Sequence, residues 1–356
     1  MFGTASADLT IETCLMVEAL PADAAALLDD ASSLFDTRAW WSVTVAHAVA
    51  PAAQAMFLVV RRRGHVVAIG PMLRTDGRFS SLTTPYTCVY KPLFAEGLDR
   101  ATRIAAMAAV MRFCRSGGIV RLDALPAEWV RLGELEGGAR RTGLVPLRFD
   151  HFGNWSEDVA GISWSAYLLR RPGALRETIR RRLRRAEKVA GARFDLFTRP
   201  DEMDRAAEAF ESVYRRSWKD AEPYPDFNVA LIRATAAQGS LRLGVWSVGA
   251  DSVAVQFWVV MAGRAIVLKL AHDEAFKAHS PGTVLTALML RHLLDEEHVR
   301  RIDFGRGDDA YKRDWAVERR QRVGLLLVNP WHPAGFAALL RHAAGRVRDA
   351  IRARLG

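Results

Sequence analysis

The chain has 356 residues, of which half are hydrophobic and a quarter are charged, a balance that excludes a disordered chain and leaves room for two domains. Its 50 Lys and Arg residues outnumber 40 Asp and Glu residues, for a formal charge of +10, which favours anionic partners such as phosphates, RNA or an anionic membrane surface. The three cysteines, Cys14, Cys88 and Cys114, are widely separated, so they provide neither a disulfide framework nor a CxxC metal site. The sequence shows no signal-peptide pattern and no run of about 20 consecutive apolar residues. We therefore expect a cytoplasmic protein with no transmembrane segment.

The first half of the chain predicts the order helix, meander, helix, strand. The turn-forming pairs Arg63-Gly64 and Asp76-Gly77 separate three apolar runs with β character. Asp99 is the predicted N-cap of a helix that ends at a Gly-Gly pair. The predicted elements are a helix at 22–30, strands at 56–62, 65–73 and 79–84, a helix at 99–116 and a strand at 119–125.

The second half repeats this order after two helices. Gly249-Ala250-Asp251 and Ala262-Gly263 are short connections that predict an antiparallel meander. The helix that follows crosses over to one more strand, which implies that the two strands flanking it are parallel. The predicted elements are helices at 172–191 and 202–218, strands at 241–248, 253–261 and 264–272, a helix at 282–297, strands at 299–305 and 323–328, and a helix at 335–354.

The repeated order predicts an internal duplication within an α/β fold. Each copy consists of an antiparallel meander followed by a helix and a parallel strand, in a mixed sheet. We expect a first domain at 1–150, a second at 151–330 and a basic C-terminal helix at 331–356. Only the second copy has a Ser-Pro-Gly turn before its helix, so we expect the chemistry there and a structural or acceptor-binding role for the first copy.

The turn before the second crossover helix reads His279-Ser280-Pro281-Gly282-Thr283. Free N-H groups and the positive end of the helix dipole make such a helix start suitable for a phosphate or diphosphate. We therefore predict His279, Ser280, Gly282 and Thr283 as cofactor-binding residues. An ordinary loop capped by Ser280 or Thr283 is the alternative.

Polar residues follow the two strands that flank this helix. The strand at 264–272 is apolar on both faces, which predicts a central position, and it ends at His272. The next strand contains Asp303, which alternation places on the opposite side from Ile302 and Phe304. Ligands of open α/β sheets bind beyond the carboxyl ends of the strands, so both ends face the predicted crevice. A structural role for Asp303 is equally consistent with the alternation.

The segment Phe276–Trp315 resembles the CelD-type acetyltransferases, which are allied to the FemAB peptidyltransferases within the GNAT superfamily. The resemblance rests on Ser280-Pro281-Gly282 and on the run from Asp303 to Asp308 that leads to Tyr311-Lys312. It covers most of the second half and, more loosely, parts of the first. The other similar segments are Tyr167–Lys188, Ser217–Lys219, Trp40-Trp41 and Thr84–Tyr86.

The resemblance implies tandem GNAT-like domains, with an acyl-coenzyme A between the splayed central strands of the second domain. The acyl group would pass to a small-molecule, saccharide or peptide amine, in envelope or exopolysaccharide metabolism. GNAT enzymes hold the coenzyme diphosphate on a loop of pattern Q/R-x-x-G-x-G/A, from which this chain departs because Thr283 and Val284 follow Gly282. FemAB relatives use aminoacyl-tRNA, which is the second possible donor.

Acyl transfer to an amine needs a base for the amine proton and an acid for the leaving group. The resemblance places Tyr311 where GNAT enzymes carry a tyrosine that protonates the thiolate. Asp303, Asp308 and His272 are the candidate bases, and His272 has the ordinary pKa nearest to neutral pH. The predicted substrate-binding residues are Gln256, Trp218, Arg306, Lys312 and Trp315. A structural role in the sheet, in the core or on the solvated surface is the alternative for each of them.

Eight arginines lie between Arg170 and Arg185, on a predicted helix whose apolar stripe contains Leu175, Ile179 and Leu183. A solvated face is the simplest interpretation. The functional alternative is an anion-binding wall for tRNA, a polyanionic acceptor or a coenzyme phosphate. With the arginines near the C-terminus, this helix also leaves open a non-enzymatic scaffold that binds RNA or makes peripheral contact with an anionic membrane.

Overall fold

The computed structural model describes residues 8–355, and side chains for residues 8–345. Among these residues, no helix combines the length and the apolar composition that crossing a membrane requires. The strands are β1 (Leu9–Cys14), β2 (Ala53–Arg62), β3 (His65–Thr75), β4 (Arg78–Ser81), β5 (Leu93–Phe94), β6 (Ile119–Pro126), β7 (Val145–Asp158), β8 (Ala192–Phe197), β9 (Leu241–Val248), β10 (Asp251–Met261), β11 (Arg264–His272), β12 (Arg301–Arg306) and β13 (Glu318–Val328). The α-helices are α1 (Ala22–Asp29), α2 (Arg38–His47), α3 (Arg100–Cys114), α4 (Leu132–Arg141), α5 (Trp164–Leu169), α6 (Gly173–Ala186), α7 (Met203–Arg215), α8 (Phe227–Ala237), α9 (Pro281–Asp295), α10 (Lys312–Trp315) and α11 (Pro333–Leu355).

The described residues divide into two compact units. The boundary predicted after residue 150 lies within β7, two residues from the observed division after Phe152. Elsewhere the division differs from the predicted domains, because residues 32–48 group with the second unit and the C-terminal helix groups with the first. The first unit contains the residues up to Ala31, Val49–Phe152 and the residues from Gln321 onward, and the second contains Ser32–Ala48 and Gly153–Arg320.

The first unit contains a sheet with the strand order β1-β2-β3-β4-β6-β13. Strands β2, β3 and β4 form the predicted antiparallel meander. Helix α3 then crosses over to β6, which pairs in parallel with β4. The side chain of Asp99 accepts a hydrogen bond from the N-H of Thr102, so it is the N-cap of α3 as predicted.

The second unit contains a sheet with the strand order β7-β12-β11-β10-β9-β8. Strands β9, β10 and β11 form an antiparallel meander. Helix α9 crosses over from β11 to β12, and these two strands are parallel. The predicted order of meander, helix and parallel strand is therefore confirmed in both copies, as is the mixed α/β fold class.

Each sheet is completed by a strand from the other half of the sequence. Strand β13 follows the second copy along the chain, yet it pairs antiparallel with β6 of the first unit, with Val328 opposite Ile119. Strand β7 follows the first copy, and its second half pairs antiparallel with β12, with Asp158 opposite Arg301. The two copies thus exchange the strands that cover β6 and β12.

Helix α9 packs on the meander of the second unit through a close approach at Gly244. A Cβ atom at this position would lie 2.3 Å from the Sδ atom of Met289, so this glycine leaves the space that the Met289 side chain of α9 occupies on β9. Leu285 and Leu290 of α9 and Trp258 of β10 are fully buried in the same core. This packing fixes where α9 begins relative to the end of β11.

Candidate active site

Strands β11 and β12 are paired over a short stretch and then separate. Their parallel register ends at the pair Ile266 and Asp303, although β11 continues to His272. The register of β11 with β10 shifts at Leu268, which is a β-bulge at the point of separation. Although β11 is a central strand, Leu268, Lys269 and Leu270 are only half-buried. The sheet of the second unit therefore opens between these two strands.

Helix α9 begins beside the carboxyl end of β11. Its N-cap residue Ser280 provides no side-chain cap, and Pro281 has no N-H. The N-H groups of Gly282 and Thr283 are therefore first-turn donors without an intrahelical acceptor. A Cβ atom at Gly282 would lie 3.5 Å from Nδ1 of His272, so the first turn of α9 lies against this imidazole.

Ser280 has the backbone conformation of a glycine. Its φ of 53° lies in the left-handed region, which glycine adopts far more readily than other residues. If Gly282 is aligned with the last glycine of the pattern Q/R-x-x-G-x-G/A, Ser280 occupies the position of the first glycine and the exposed Lys277 that of the Gln or Arg. At those two positions the chain thus has a residue with left-handed backbone conformation and a basic side chain.

His272 is a half-buried imidazole at the end of β11. Its ring packs against that of Trp218, with 4.4 Å between the ring centroids. Nε2 lies 3.5 Å from a carboxylate oxygen of Glu274, and Nδ1 is buried without a hydrogen-bond partner in the described part of the chain. Desolvation lowers the pKa of His272 and outweighs the opposing charge of Glu274. The imidazole is therefore neutral at pH 7.

Arg216 holds the segment after α7 over the end of β11. Its Nε donates to Oδ2 of Asp273 at 2.6 Å, and a second guanidinium nitrogen donates to the carbonyl of Ser252 at 2.8 Å. The other oxygen of Asp273 accepts from the N-H of Ala275 at 2.9 Å. These bonds fix Trp218, which is two residues from Arg216, beside the imidazole.

Lys219 is a half-buried cation next to this aromatic pair. Its Nζ lies 5.5 Å from the ring centroid of Trp218 and has no carboxylate within ion-pair distance among residues 8–345. Desolvation, followed by the charge of Lys269, lowers the pKa of Lys219, while Glu222 and Asp309 act in the opposite direction. Asp309 belongs to the loop after β12, so this loop and Lys219 are within electrostatic range of each other.

Tyr311 lies on the same loop, immediately before α10, and is 38% exposed. Its hydroxyl makes no hydrogen bond within the described residues. Desolvation and then the negative charge of Asp309 raise its pKa, so the phenol keeps its proton. Asp309 therefore acts on both Tyr311 and Lys219. A series of contacts and electrostatic neighbours runs from the start of α9 to this phenol through Gly282, His272, Trp218, Lys219, Asp309 and Tyr311.

The two carboxylates predicted as candidate bases already have partners. Asp303 is buried, and its Oδ1 accepts from Nδ2 of Asn154 at 2.7 Å and from a backbone N-H two residues further on at 2.9 Å. Asp308 accepts from the indole N-H of Trp155 at 2.6 Å and from Nε of Arg319 at 2.7 Å. Arg319 and then Trp155 hold the pKa of Asp308 below its ordinary value. Both carboxylates hold the end of β12 and its following loop.

Gln256 and Trp315, two of the predicted substrate-binding residues, have structural surroundings. Nε2 of Gln256 donates to Oγ1 of Thr286 at 2.6 Å, and its Oε1 accepts from the indole N-H of Trp258 at 2.9 Å. These bonds join β10 to α9. The ring of Trp315 is buried in the core of the second unit. Nε2 of Gln256 also donates to the carbonyl of Gly282 at 3.4 Å, so this amide supports the first turn of α9.

Lys312 and Arg306 shape the loop that carries Tyr311. Lys312 is buried, and its Nζ donates to the carbonyl of Arg306 at 2.7 Å and lies 2.8 Å from a carboxylate oxygen of Asp309. The side chain of Arg306 is half-buried. Of the five predicted substrate-binding residues, Trp218 is the one that contacts His272.

No group of His, Cys, Asp and Glu side chains within residues 8–345 is arranged to hold a metal ion.

The arginine-rich helix α6 packs against α9 and against the segment 274–279 that precedes it. A guanidinium nitrogen of Arg182 donates to the carbonyl of Ala278 at 2.8 Å, one residue before His279. Arg180, Arg181 and Arg184 are exposed. The cluster of arginines is thus next to the turn that precedes α9, a proximity that the sequence spacing did not predict.

Solved structures with a similar fold cover nearly the whole chain. One is the C-terminal domain (DUF2156) of a putative lysylphosphatidylglycerol synthetase from Agrobacterium fabrum, with 13% identity over 92% of this chain and 95% of that chain and a TM-score of 0.58. FemX is similar at 10% identity over 89% of this chain and 98% of that chain, with a TM-score of 0.57. A conserved protein of unknown function from Bacteroides thetaiotaomicron VPI-5482 is similar at 11% identity, 86% and 97% coverage and a TM-score of 0.54. These likenesses show a shared fold.

No curated protein matches the chain in sequence. Residues 173–313 match the family described as an acetyltransferase (GNAT) domain. The matched segment extends from the start of α6 into α10, and it contains the opening between β11 and β12, the turn before α9 and Tyr311. The predicted resemblance to the GNAT superfamily is confirmed: residues 173–313 match the GNAT acetyltransferase domain family, within a fold that FemX shares.

Proposed function

We propose that the second unit transfers an acyl group from an acyl-coenzyme A to an amine. The observation that carries the proposal is the opening between β11 and β12, whose parallel pairing stops at Ile266 and Asp303. The first turn of α9 lies at the end of one strand and Tyr311 follows the other. A GNAT acetyltransferase domain makes a thioester the first donor to consider, and both donor and enzyme are then expected in the cytoplasm.

The residues at the start of α9 suit the diphosphate of such a donor. The N-H groups of Gly282 and Thr283, together with the helix dipole, form an anion site. Ser280 sets the left-handed backbone of the turn, and the exposed side chains of His279 and Lys277 flank it. The bound coenzyme would supply the activated thioester, and the chain would supply the diphosphate site and the two proton-transferring groups.

His272 is the proposed base and Tyr311 the proposed acid. The amine gives its proton to the neutral His272, directly or through one water, as its nitrogen forms a bond to the acyl carbon. The carbon-sulfur bond breaks, and the thiolate takes the phenolic proton of Tyr311. Since Asp303 and Asp308 have fixed hydrogen-bond partners, we assign both to positioning of the loop and not to proton transfer.

The acceptor is expected to carry an anionic group close to its amine. Lys219 is a half-buried cation without an ion-pair partner in the described residues, and the partly exposed ring of Trp218 lies beside it. A carboxylate or phosphate of the acceptor would compensate this charge. Amino acids, peptides and acidic amino sugars have the required combination.

The donor class is tested with a panel of acyl-coenzyme A thioesters of increasing chain length. We expect at least one member to raise the melting temperature and to release free thiol when an amine with a neighbouring anionic group is added. A panel in which no thioester binds would contradict the proposal of a thioester donor.

The Gly282→Asp variant is expected to weaken donor binding by about tenfold or more, because it places a carboxylate beside the proposed diphosphate site, where two negative charges repel. The measurement is the donor dissociation constant by calorimetry. Gly282→Asn is the matched control, since it has nearly the same volume without the charge. Equal affinities for the Asp and Asn variants would place the diphosphate elsewhere.

The rate is expected to rise with pH as His272 loses its proton, with its half-maximum below about pH 6.5, because the pKa of His272 lies below its ordinary value of about 6.5. The measurement is kcat at saturating donor and acceptor between pH 5 and 9, because kcat/KM would also report the ionisation of the free acceptor amine. In His272→Gln the acidic limb should disappear together with most of the rate. An acidic limb that persists in this variant would assign the base to another group.

An aminoacyl-tRNA donor is the second candidate, and one observation favours it. The exposed Arg180, Arg181 and Arg184 lie on the helix that contacts the turn before α9. This candidate requires tRNA binding that weakens steeply with salt. Reversal of these three charges should then abolish tRNA binding without changing the melting temperature, whereas unchanged binding would exclude the helix as a tRNA surface.

A further inference from the structure

A cleft of about 570 Å³ lies in the first unit, and its lining residues are outside the GNAT segment. It is bounded by the strands β4, β6 and β13 and by helix α11. Its wall combines apolar side chains with a few basic ones, which is the composition typical of a pocket for a ligand with an apolar part and a charged part. The apolar residues that line it are Phe79, Ile119, Leu326, Ala334 and Ala337.

The cleft exists because α11 presents small side chains to the sheet. Strand alternation directs Val120 and Leu122 of β6 into the buried core, and Ile119 and Arg121 to the opposite face. On that face, Ala334 and Ala337 of α11 leave a gap that larger residues would fill. Ile119 and Leu326 consequently remain half-buried on the floor of the cleft.

Three arginines line the cleft, namely Arg78, Arg121 and Arg341. Arg121 forms an ion pair with Asp123 at 2.8 Å. Arg78 and Arg341 are exposed and have no carboxylate partner among residues 8–345. Asp76 is the acidic residue of the lining, so the positive charges prevail. The guanidinium fork suits a phosphate or a carboxylate.

We propose that this cleft binds an anionic amphiphile, with its phosphate among the arginines and its acyl chain along the apolar floor. A small hydrophilic anion would leave the floor unused, and an uncharged apolar ligand would leave two arginines unpaired beside it. Nearby in sequence, the large apolar side chains of Trp331, Phe336 and Leu340 are exposed, as expected for a protein that meets lipid. The proposal is independent of the transferase function.

The test uses a lysophosphatidic acid of medium chain length, below its critical micelle concentration, with inorganic phosphate and the zwitterionic lysophosphatidylcholine as comparisons. We expect it to bind at least tenfold more tightly than either, and each two added methylene groups to tighten binding by about tenfold. If inorganic phosphate binds equally well, or chain length has no effect, the proposal is overturned.

Variants locate the site. Arg78→Gln with Arg341→Gln should weaken binding of the lysophosphatidic acid by about tenfold or more, because both charge-assisted contacts are lost. Ala337→Phe should weaken it by filling the gap. Arg112→Gln, which removes an exposed arginine of α3 outside the cleft, is the matched control and should bind normally. Equal binding by the cleft variants and the control overturns the proposal.

Two further arms distinguish the source of the amphiphile. Binding to phosphatidylglycerol vesicles that is lost in the double arginine variant indicates a bilayer lipid, and binding of the monomer without binding to vesicles indicates a free metabolite. Either result supports the site. Absence of both, in a folded protein, overturns it.

Discussion

Replacing Tyr311 by Phe is expected to lower kcat by about 10²-fold or more and to leave the donor dissociation constant nearly unchanged. A positioned general acid contributes roughly 10² to 10⁴ to a rate, and the variant removes the phenolic proton while it keeps the ring. The raised pKa of Tyr311 keeps this proton in place throughout the neutral range, so the group is in its acid form when the thiolate leaves. The measurement is thiol release at saturating donor.

The stability of this variant separates a chemical role from a structural one. The hydroxyl of Tyr311 makes no hydrogen bond within the described residues, so the melting temperature should not change. Tyr86→Phe, which removes a phenol from the first unit, is the control and should leave kcat unaltered. A Tyr311→Phe variant with full kcat would contradict the role of acid, and one with low kcat and a lowered melting temperature would indicate damage to the fold.

Local signals were sufficient to predict much of the second unit. The bounds of β9 and β11 are as predicted, because β9 is an apolar run between two glycine-containing turns and β11 is an apolar run that begins directly after Ala262-Gly263. The parallel relation of β11 and β12 followed from the helix between them. Strand β7 was not predicted, although Val145, Leu147 and Phe149 alternate with Pro146, Arg148 and Asp150. Its proline and its Gly153 obscured this signal.

Local sequence patterns could not predict the exchange of β7 and β13. A strand carries its own alternation in its sequence, but the choice of its neighbour is decided by contacts between distant segments. Residues 32–48 show the same limit, since Trp40 of α2 packs edge-on against Phe227 of α8 at 5.7 Å between centroids. Nothing in the spacing of the two tryptophans at 40 and 41 indicates a partner almost 190 residues away.

The candidate site shows the same division between what is local and what is not. The sequence predicted the turn at Ser280 and the residue His272 as candidates, because strand ends and helix starts are local features, and the resemblance to GNAT enzymes implied Tyr311. It did not predict that Asn154 would bind Asp303, since that amide comes from the exchanged strand β7. Residue type alone therefore left three candidate bases. The hydrogen-bond partners of Asp303 and Asp308 favour the third, His272.

Replacing Arg171 by Ala is expected to destabilise the second unit by about 3 kcal/mol, because the buried carboxylate of Glu157 loses its buried cation and keeps the half-exposed Arg170, whose nitrogen lies 3.7 Å away. Arg171 and Glu157 are 3% and 2% exposed, with 2.7 Å between their nitrogen and oxygen atoms. A second guanidinium nitrogen of Arg171 donates to the carbonyl of Trp315 at 2.5 Å. The measurement is the free energy of unfolding in urea, and Arg180→Ala, at an exposed position of α6, should change it by less than about 0.5 kcal/mol.

The double variant Arg171→Met with Glu157→Gln tests whether the loss of stability in Arg171→Ala comes from the buried carboxylate of Glu157. Removing both charges leaves no buried ion to desolvate, so the double variant should be more stable than Arg171→Ala. In the double variant the carbonyl of Trp315 still accepts a hydrogen bond from the hydroxyl of Tyr167, so losing the hydrogen bond from Arg171 does not leave this carbonyl unpaired. The pair is not coupled if the double variant instead loses as much unfolding free energy as the two single variants together. The loss would then come from the packing of Arg171 against the ring of Tyr167, whose centroid lies 4.3 Å from the guanidinium carbon.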